Sequence, residues 1–89
     1  MVNDSQLHRY ILYIDYNGEQ YYSKGSNNFS KNILDAKLFR TTAAIKASIA
    51  HFPIYGEDMY YIYTIDPNYH FTYDMFKIGR VSNIVMEHI

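Results

Sequence analysis

The chain of 89 residues has no cysteine and no tryptophan. Without cysteine there is no disulfide framework, no thiolate metal site and no thiol nucleophile. Proline occurs twice, at Pro53 and Pro67, and glycine four times, so no Pro/Gly-rich linker divides the chain. The longest apolar run falls far short of the ~20 residues that a membrane-spanning helix needs. The opening Met1–Gln6 is mostly polar and lacks the apolar core of a signal peptide, which sets the expectation of a soluble cytoplasmic protein. The net charge of −1 is too small to imitate a phosphate backbone. The length predicts one domain spanning 1–89.

Catalytic signals are equally sparse. No Gly-x-Ser-x-Gly elbow is present. His8, His51, His70 and His88 show neither His-x-His nor i, i+4 spacing, so no metal ligand set is assigned and no cofactor is expected. Asp15, Glu19, Glu57, Asp66 and Asp74 flank predicted turns or strand ends, the usual place of solvated carboxylates. The chain reads as a non-enzyme.

What the chain has in excess is tyrosine, eleven residues, ten of them grouped in runs with strand character: Tyr10, Tyr13 and Tyr16; Tyr21 and Tyr22; Tyr60, Tyr61 and Tyr63; Tyr69 and Tyr73. A core this small does not hold them all. The surplus rings belong at half-exposed positions, where an apolar body with a polar tip suits a contact surface.

Asn17-Gly18 is a type I′ turn dipeptide, and it sets a register of Tyr16 opposite Glu19, Ile14 opposite Tyr21 and Leu12 opposite Ser23. Alternation places Leu12 and Ile14 on the core face and leaves Tyr13 and Tyr22 on the face expected to be more exposed. Lys24–Asn28 reads as a loop. From Ile33 to Phe52 the period lengthens: Leu34, Leu38, Ile45, Ile49 and Phe52 recur at three- and four-residue steps. Thr41-Thr42 interrupts this run as a cap signal, so two short helices (34–39 and 42–51) and one long helix both fit. Phe52-Pro53 ends it. Met59–Asp66 reads as a strand, Asp66–Tyr69 as a turn, and Tyr69–Phe76 as the returning strand, with 81–86 extending it or adding a fifth. The predicted class is α+β: one antiparallel sheet of four to five strands in the order β-β-α-β-β, with one or two short helices on one face.

Charge is uneven. Between Lys24 and Lys46 lie five basic residues against Asp35 alone, a local excess of +4, while the remainder of the chain carries −5. Lys37 and Arg40 would share a helix side, with Lys46 turned away. The predicted contact set is Tyr13, Tyr22, Tyr61 and Tyr63, with Lys37 and Arg40 as rim charges for a protein partner or a second copy of the chain. The same rings and the basic Lys24–Lys46 segment give the alternative, a single-stranded nucleic-acid binder that stacks bases on tyrosine. Against that alternative, few basic residues lie on the aromatic strands themselves, and the basic-aromatic ribonucleoprotein motif is missing.

The stretch Ala36-Lys37-Leu38-Phe39-Arg40-Thr41-Thr42-Ala43-Ala44, following an Asn-Gly hairpin, resembles a pattern in small phage and prophage accessory proteins of low-GC Gram-positive bacteria. The resemblance covers roughly residues 9–52. It implies a protein acting in the host cytoplasm that binds and inhibits a bacterial protein, antiviral defence effectors such as CRISPR effectors among them. It transfers no functional residues.

Overall fold

The computed structural model describes residues 10–57, 59–82 and 85–88; His8 and the polar start of the chain lie outside them. The order is β1 (Tyr10–Tyr16), β2 (Glu19–Gly25), β3 (Asn28–Ser30), a 3₁₀ turn (Ile33–Asp35), α1 (Thr42–Ala50), β4 (Ile54–Gly56), β5 (Met59–Ile62), β6 (Asp66–Thr72), a second 3₁₀ turn (Tyr73–Met75), β7 (Phe76–Ser82) and β8 (Val85–His88). The class is α+β and the pairing is antiparallel throughout. The strands divide between two sheets where one was expected: a five-stranded sheet in the order β3-β2-β1-β7-β8 and a three-stranded sheet in the order β4-β5-β6.

The first hairpin forms as its turn dictates. Asn17 and Gly18 both have positive φ, +53° and +78°, and Tyr16 faces Glu19 while Ile14 faces Tyr21. The Lys24–Asn28 stretch, expected as a loop, tightens into a second hairpin, with Gly25 at φ +109° and Ser26 at φ +49° carrying the reversal. β1 is the centre of the larger sheet, paired with β2 on one side and β7 on the other.

α1 starts where Thr41 caps it: the Thr41 hydroxyl accepts the Ala44 amide at 3.1 Å. It stops before Phe52-Pro53. Only a 3₁₀ turn represents the first half of the expected helical run. The residues between them are held by the sheet instead. Lys37 N–H donates to the Ser23 carbonyl (2.8 Å), and Phe39 exchanges both backbone bonds with Tyr10 (2.7 and 3.0 Å). Those bonds take the donors and acceptors that a helix would use. The apparent helical face therefore splits: Ile45, Ile49 and Phe52 are buried, whereas Leu34 and Leu38 are 87% and 50% exposed.

The main core lies between one face of the larger sheet and a cover made of α1 and the smaller sheet. Leu12 and Ile14 of β1 meet Ile45 and Ile49 of α1, and Tyr60, Ile62 and Phe71 of β5 and β6. Phe52 joins the parts through rings at 6.0 Å from Phe29 and 5.7 Å from Phe76. The second reversal falls at residues 63–65, not at the expected Asp66–Tyr69. Asp66 still accepts the Asn68 amide at 2.9 Å, as in a turn, yet both residues belong to β6. Pro67 is tolerated there because β6 is an edge strand of its sheet.

Candidate functional site

The structure sorts the tyrosines. Tyr13, Tyr22 and Tyr60 are buried; Tyr10, Tyr16, Tyr21 and Tyr61 are half-buried; Tyr63, Tyr69 and Tyr73 are exposed.

Burial of Tyr13 (3% exposed) and Tyr22 (8%) corrects the expectation that their face is the open one. They form a cross-strand pair with ring centroids 6.1 Å apart, and with Ile11 they make a second apolar cluster flanked by Ala36 and Val81. The reason is β1's central position: with neighbours on both edges, its Ile11 and Tyr13 meet Tyr22 of β2 on the sheet's second face, where Ala36 and Val81 pack against them. Tyr22 donates to Gln20 Oε1 at 2.8 Å, and burial, then the Asp15 charge, then Tyr22 push the Tyr13 phenol up from its ordinary range. These two rings serve packing.

Tyr61 and Tyr63 fare otherwise. On β5, Tyr60 and Ile62 point into the core, so alternation turns Tyr61 outward. Its cross-strand partner is His70, with rings 4.6 Å apart and nearly perpendicular. Tyr63 opens the 63–65 turn, is 60% exposed, and stacks parallel on Tyr61 at 5.4 Å with 1° between ring planes. The backbone beneath is fixed from several sides. The Asn27 side-chain amide donates to the Tyr61 carbonyl (2.8 Å), Tyr61 N–H donates to the Pro53 carbonyl (3.1 Å), and Phe29 N–H donates to the Thr64 hydroxyl (3.1 Å). Three aromatic rings are thus presented as a prebuilt outward group.

Lys37 and Arg40 come together at a different feature. The non-helical segment 37–40 forms one wall of an open cleft of about 570 Å³; Ala44, Ala47, Ser48 and His51 form the other, and Ser26 of the β2–β3 turn adds to the lining. The four α1-side residues stand at i, i+3, i+4 and i+7, one stripe beside the buried Ile45–Ile49 stripe. Lys37 Nζ lies 5.2 Å from the Phe39 ring centroid. Of the other basic residues, Lys31 is engaged elsewhere: it pairs with Glu19 at 3.0 Å, and Tyr21 donates to the same carboxylate at 3.1 Å. That hydrogen bonding from Lys31 and Tyr21 lowers the Glu19 pKa, and the Glu19 contact raises that of Lys31.

Ser26 lines the cleft and its neighbour Asn27 holds the Tyr61 carbonyl, so the β2–β3 turn touches both the cleft and the backbone of the aromatic group. Sequence reasoning brought out Tyr61, Tyr63, Lys37 and Arg40 but missed His70, His51, Leu34 and Leu38. His70 was legible as an alternation partner once the turn was placed at 63–65. Leu34 and Leu38 were hidden by a periodicity that runs through non-helical backbone. Among the described residues no group of three His, Asp or Glu side chains is placed to share a metal ion, and no helix is long and apolar enough to cross a membrane. Compared with known proteins, the chain matches no family model, no curated protein and no solved structure.

Proposed function

We propose that this chain is a non-enzymatic binding protein that engages another protein through the Tyr61–Tyr63–His70 group, with Lys37 and Arg40 at the rim. In the setting that the sequence resemblance implies, the partner is a bacterial host protein in the host cytoplasm, an antiviral defence effector of the CRISPR type among the candidates, and binding inhibits it. The observation that carries the reading is the parallel Tyr61–Tyr63 stack, outward-facing and held from below by Asn27, Pro53 and Phe29. Aromatic rings ordered before binding lose little side-chain entropy at an interface, which is why tyrosine is enriched at contact hot spots. A second copy of the chain is the alternative protein partner, and sedimentation velocity distinguishes it.

The test is affinity capture from bacterial lysate with the wild type and with Tyr61→Ala/Tyr63→Ala, both shown folded by circular dichroism. The double variant is expected to lose the proteins that the wild type retains. Equal retention overturns the assignment.

A second reading, single-stranded nucleic-acid binding, draws on two observations together: a stacked tyrosine pair with Tyr63 exposed, and a cleft lined by Lys37 and Arg40. Binding of a fluorescent oligonucleotide at low salt that weakens steeply as salt rises supports it, and absence of binding at low salt removes it.

A further inference from the structure

We propose that the cleft between segment 37–40 and α1 is the docking groove for an acidic, partly apolar extended segment of the protein partner. This rests on the reading of the chain as a protein binder and names the chemistry that the partner brings.

The groove is concave and, at about 570 Å³, lies in the ~300–1,000 Å³ range of ligand-holding clefts. Its polar lining is cationic or neutral: Lys37, Arg40 and His51, with the hydroxyls of Ser26 and Ser48. No carboxylate among the described residues lines it. Lys37 and Arg40 both belong to one wall of the cleft, so a chain lying in it meets positive charge along that side.

The apolar part of the lining sets the second requirement. Leu38, half exposed, and Phe39 share the wall with the two cations, and opposite them Ala44 and Ala47 are small enough to admit a passing backbone with a side chain over them. A bare anion would leave this apolar surface in water. A segment alternating carboxylates with aliphatic side chains covers both parts.

Long-range charge points the same way. The chain outside Lys24–Lys46 carries −5, and inside it +4. Two of that segment's five basic residues, Lys37 and Arg40, line the groove, so an acidic segment repelled by the −5 remainder is attracted there. Phosphates of a nucleic acid would also meet the cations, but they have no counterpart to the Leu38 and alanine surface, and the acidic remainder of the chain repels a long polyanion. The acidic peptide is therefore the occupant that the observations favour.

The experiment is a ¹H–¹⁵N NMR titration of the full chain with three probes: a capped octapeptide alternating glutamate and leucine, the same peptide with glutamine for glutamate, and an eight-residue oligothymidylate. The acidic peptide is expected to shift the amides of Lys37–Arg40, Ala44, Ala47 and His51. Its affinity should fall at least about five-fold in Lys37→Gln/Arg40→Gln, the size that two exposed ion pairs supply, and stay unchanged in Lys31→Gln, whose lysine pairs with Glu19 outside the groove. The spectrum of each variant reports its folding directly. No shifts at the groove, equal binding of the glutamine peptide, or tighter binding of the oligonucleotide at the same residues each overturns the proposal. Failure of the wider reading has a different signature: partner capture that ignores Tyr61→Ala/Tyr63→Ala while the acidic peptide still fills the groove.

Discussion

Two tyrosines three residues apart should respond oppositely to the same truncation. Tyr60 is buried (6% exposed), with Phe76 set edge-on at 5.3 Å, and it belongs to the core shared by both sheets and α1. Burying a tyrosine removes ~150–250 Å² from water. At ~25 cal/mol per Å² this amounts to about 4–6 kcal/mol, an upper bound because the unfolded chain already hides part of that area. Large-to-small core substitutions of aromatic residues cost ~3–5 kcal/mol, in agreement. For 89 residues the whole stability is about 4–13 kcal/mol at the usual per-residue figure, so Tyr60→Ala removes a large share of it. Tyr63 is 60% exposed and loses only its stack on Tyr61, so Tyr63→Ala should cost at most about 1 kcal/mol. With a urea slope near ~1 kcal/mol/M for a small domain, the midpoint should fall by about 3 M or more for Tyr60→Ala and by about 1 M or less for Tyr63→Ala. Far-UV circular dichroism follows both. Equal shifts would refute the division of tyrosines between core and surface.

Further outcomes follow from local geometry. The Tyr16 hydroxyl donates to Asp66 Oδ2 at 2.6 Å and ties the two sheets together; this bond pushes the Tyr16 phenol up to about 12 and, with the Asn68 amide, holds the Asp66 carboxyl below its usual range. A depressed acid stabilises the fold above its unfolded pKa and loses that contribution as pH falls through the folded value, while a raised phenol stabilises below ~10 and loses it as pH rises toward 12. The melting-temperature gap between wild type and Tyr16→Phe should therefore be widest near neutral pH and narrow at both extremes, and a gap that ignores pH would contradict the contact. Absorbance titration of the wild type should show Tyr16 ionising near 12, and the amplitude there should fall by one phenol in Tyr16→Phe. Thr41→Ala removes the acceptor of the Ala44 amide and should cost ~1 kcal/mol, read as a melting temperature lower by about 4–8 °C, whereas Thr41→Ser keeps the hydroxyl and should avoid most of that loss.

Legibility followed the range of the interaction. The Asn17-Gly18 turn dictates its own dihedrals, and the register Tyr16–Glu19 and Ile14–Tyr21 came with it. Thr41 and Phe52-Pro53 bounded α1 by capping and steric rules that act within a few residues. What the sequence concealed depended on distant partners. Leu34 and Leu38 keep helical spacing with Ile45, but Ser23 and Tyr10 hold the Lys37 and Phe39 backbone across 14 and 29 positions and stop a helix there. Pro67 looked like a turn residue because its edge position was unknown. Tyr13 and Tyr22 looked like a surface pair because an alternating strand shows two faces without saying that both gather apolar neighbours. At the candidate site, Tyr61 and Tyr63 were visible from composition and alternation; the meeting of Lys37 and Arg40 with His51 in one cleft was not, since it depends on how segment 37–40 lies against α1.

The central claim is that recognition uses the Tyr61–Tyr63–His70 group together with the Lys37–Arg40 cleft. Hydrogen–deuterium exchange of the chain, free and bound to its captured partner, tests it most directly. New protection concentrated at residues 61–63, 70 and 37–40 is predicted. Protection confined to the β3 or β8 edges, with those residues unchanged, would contradict it.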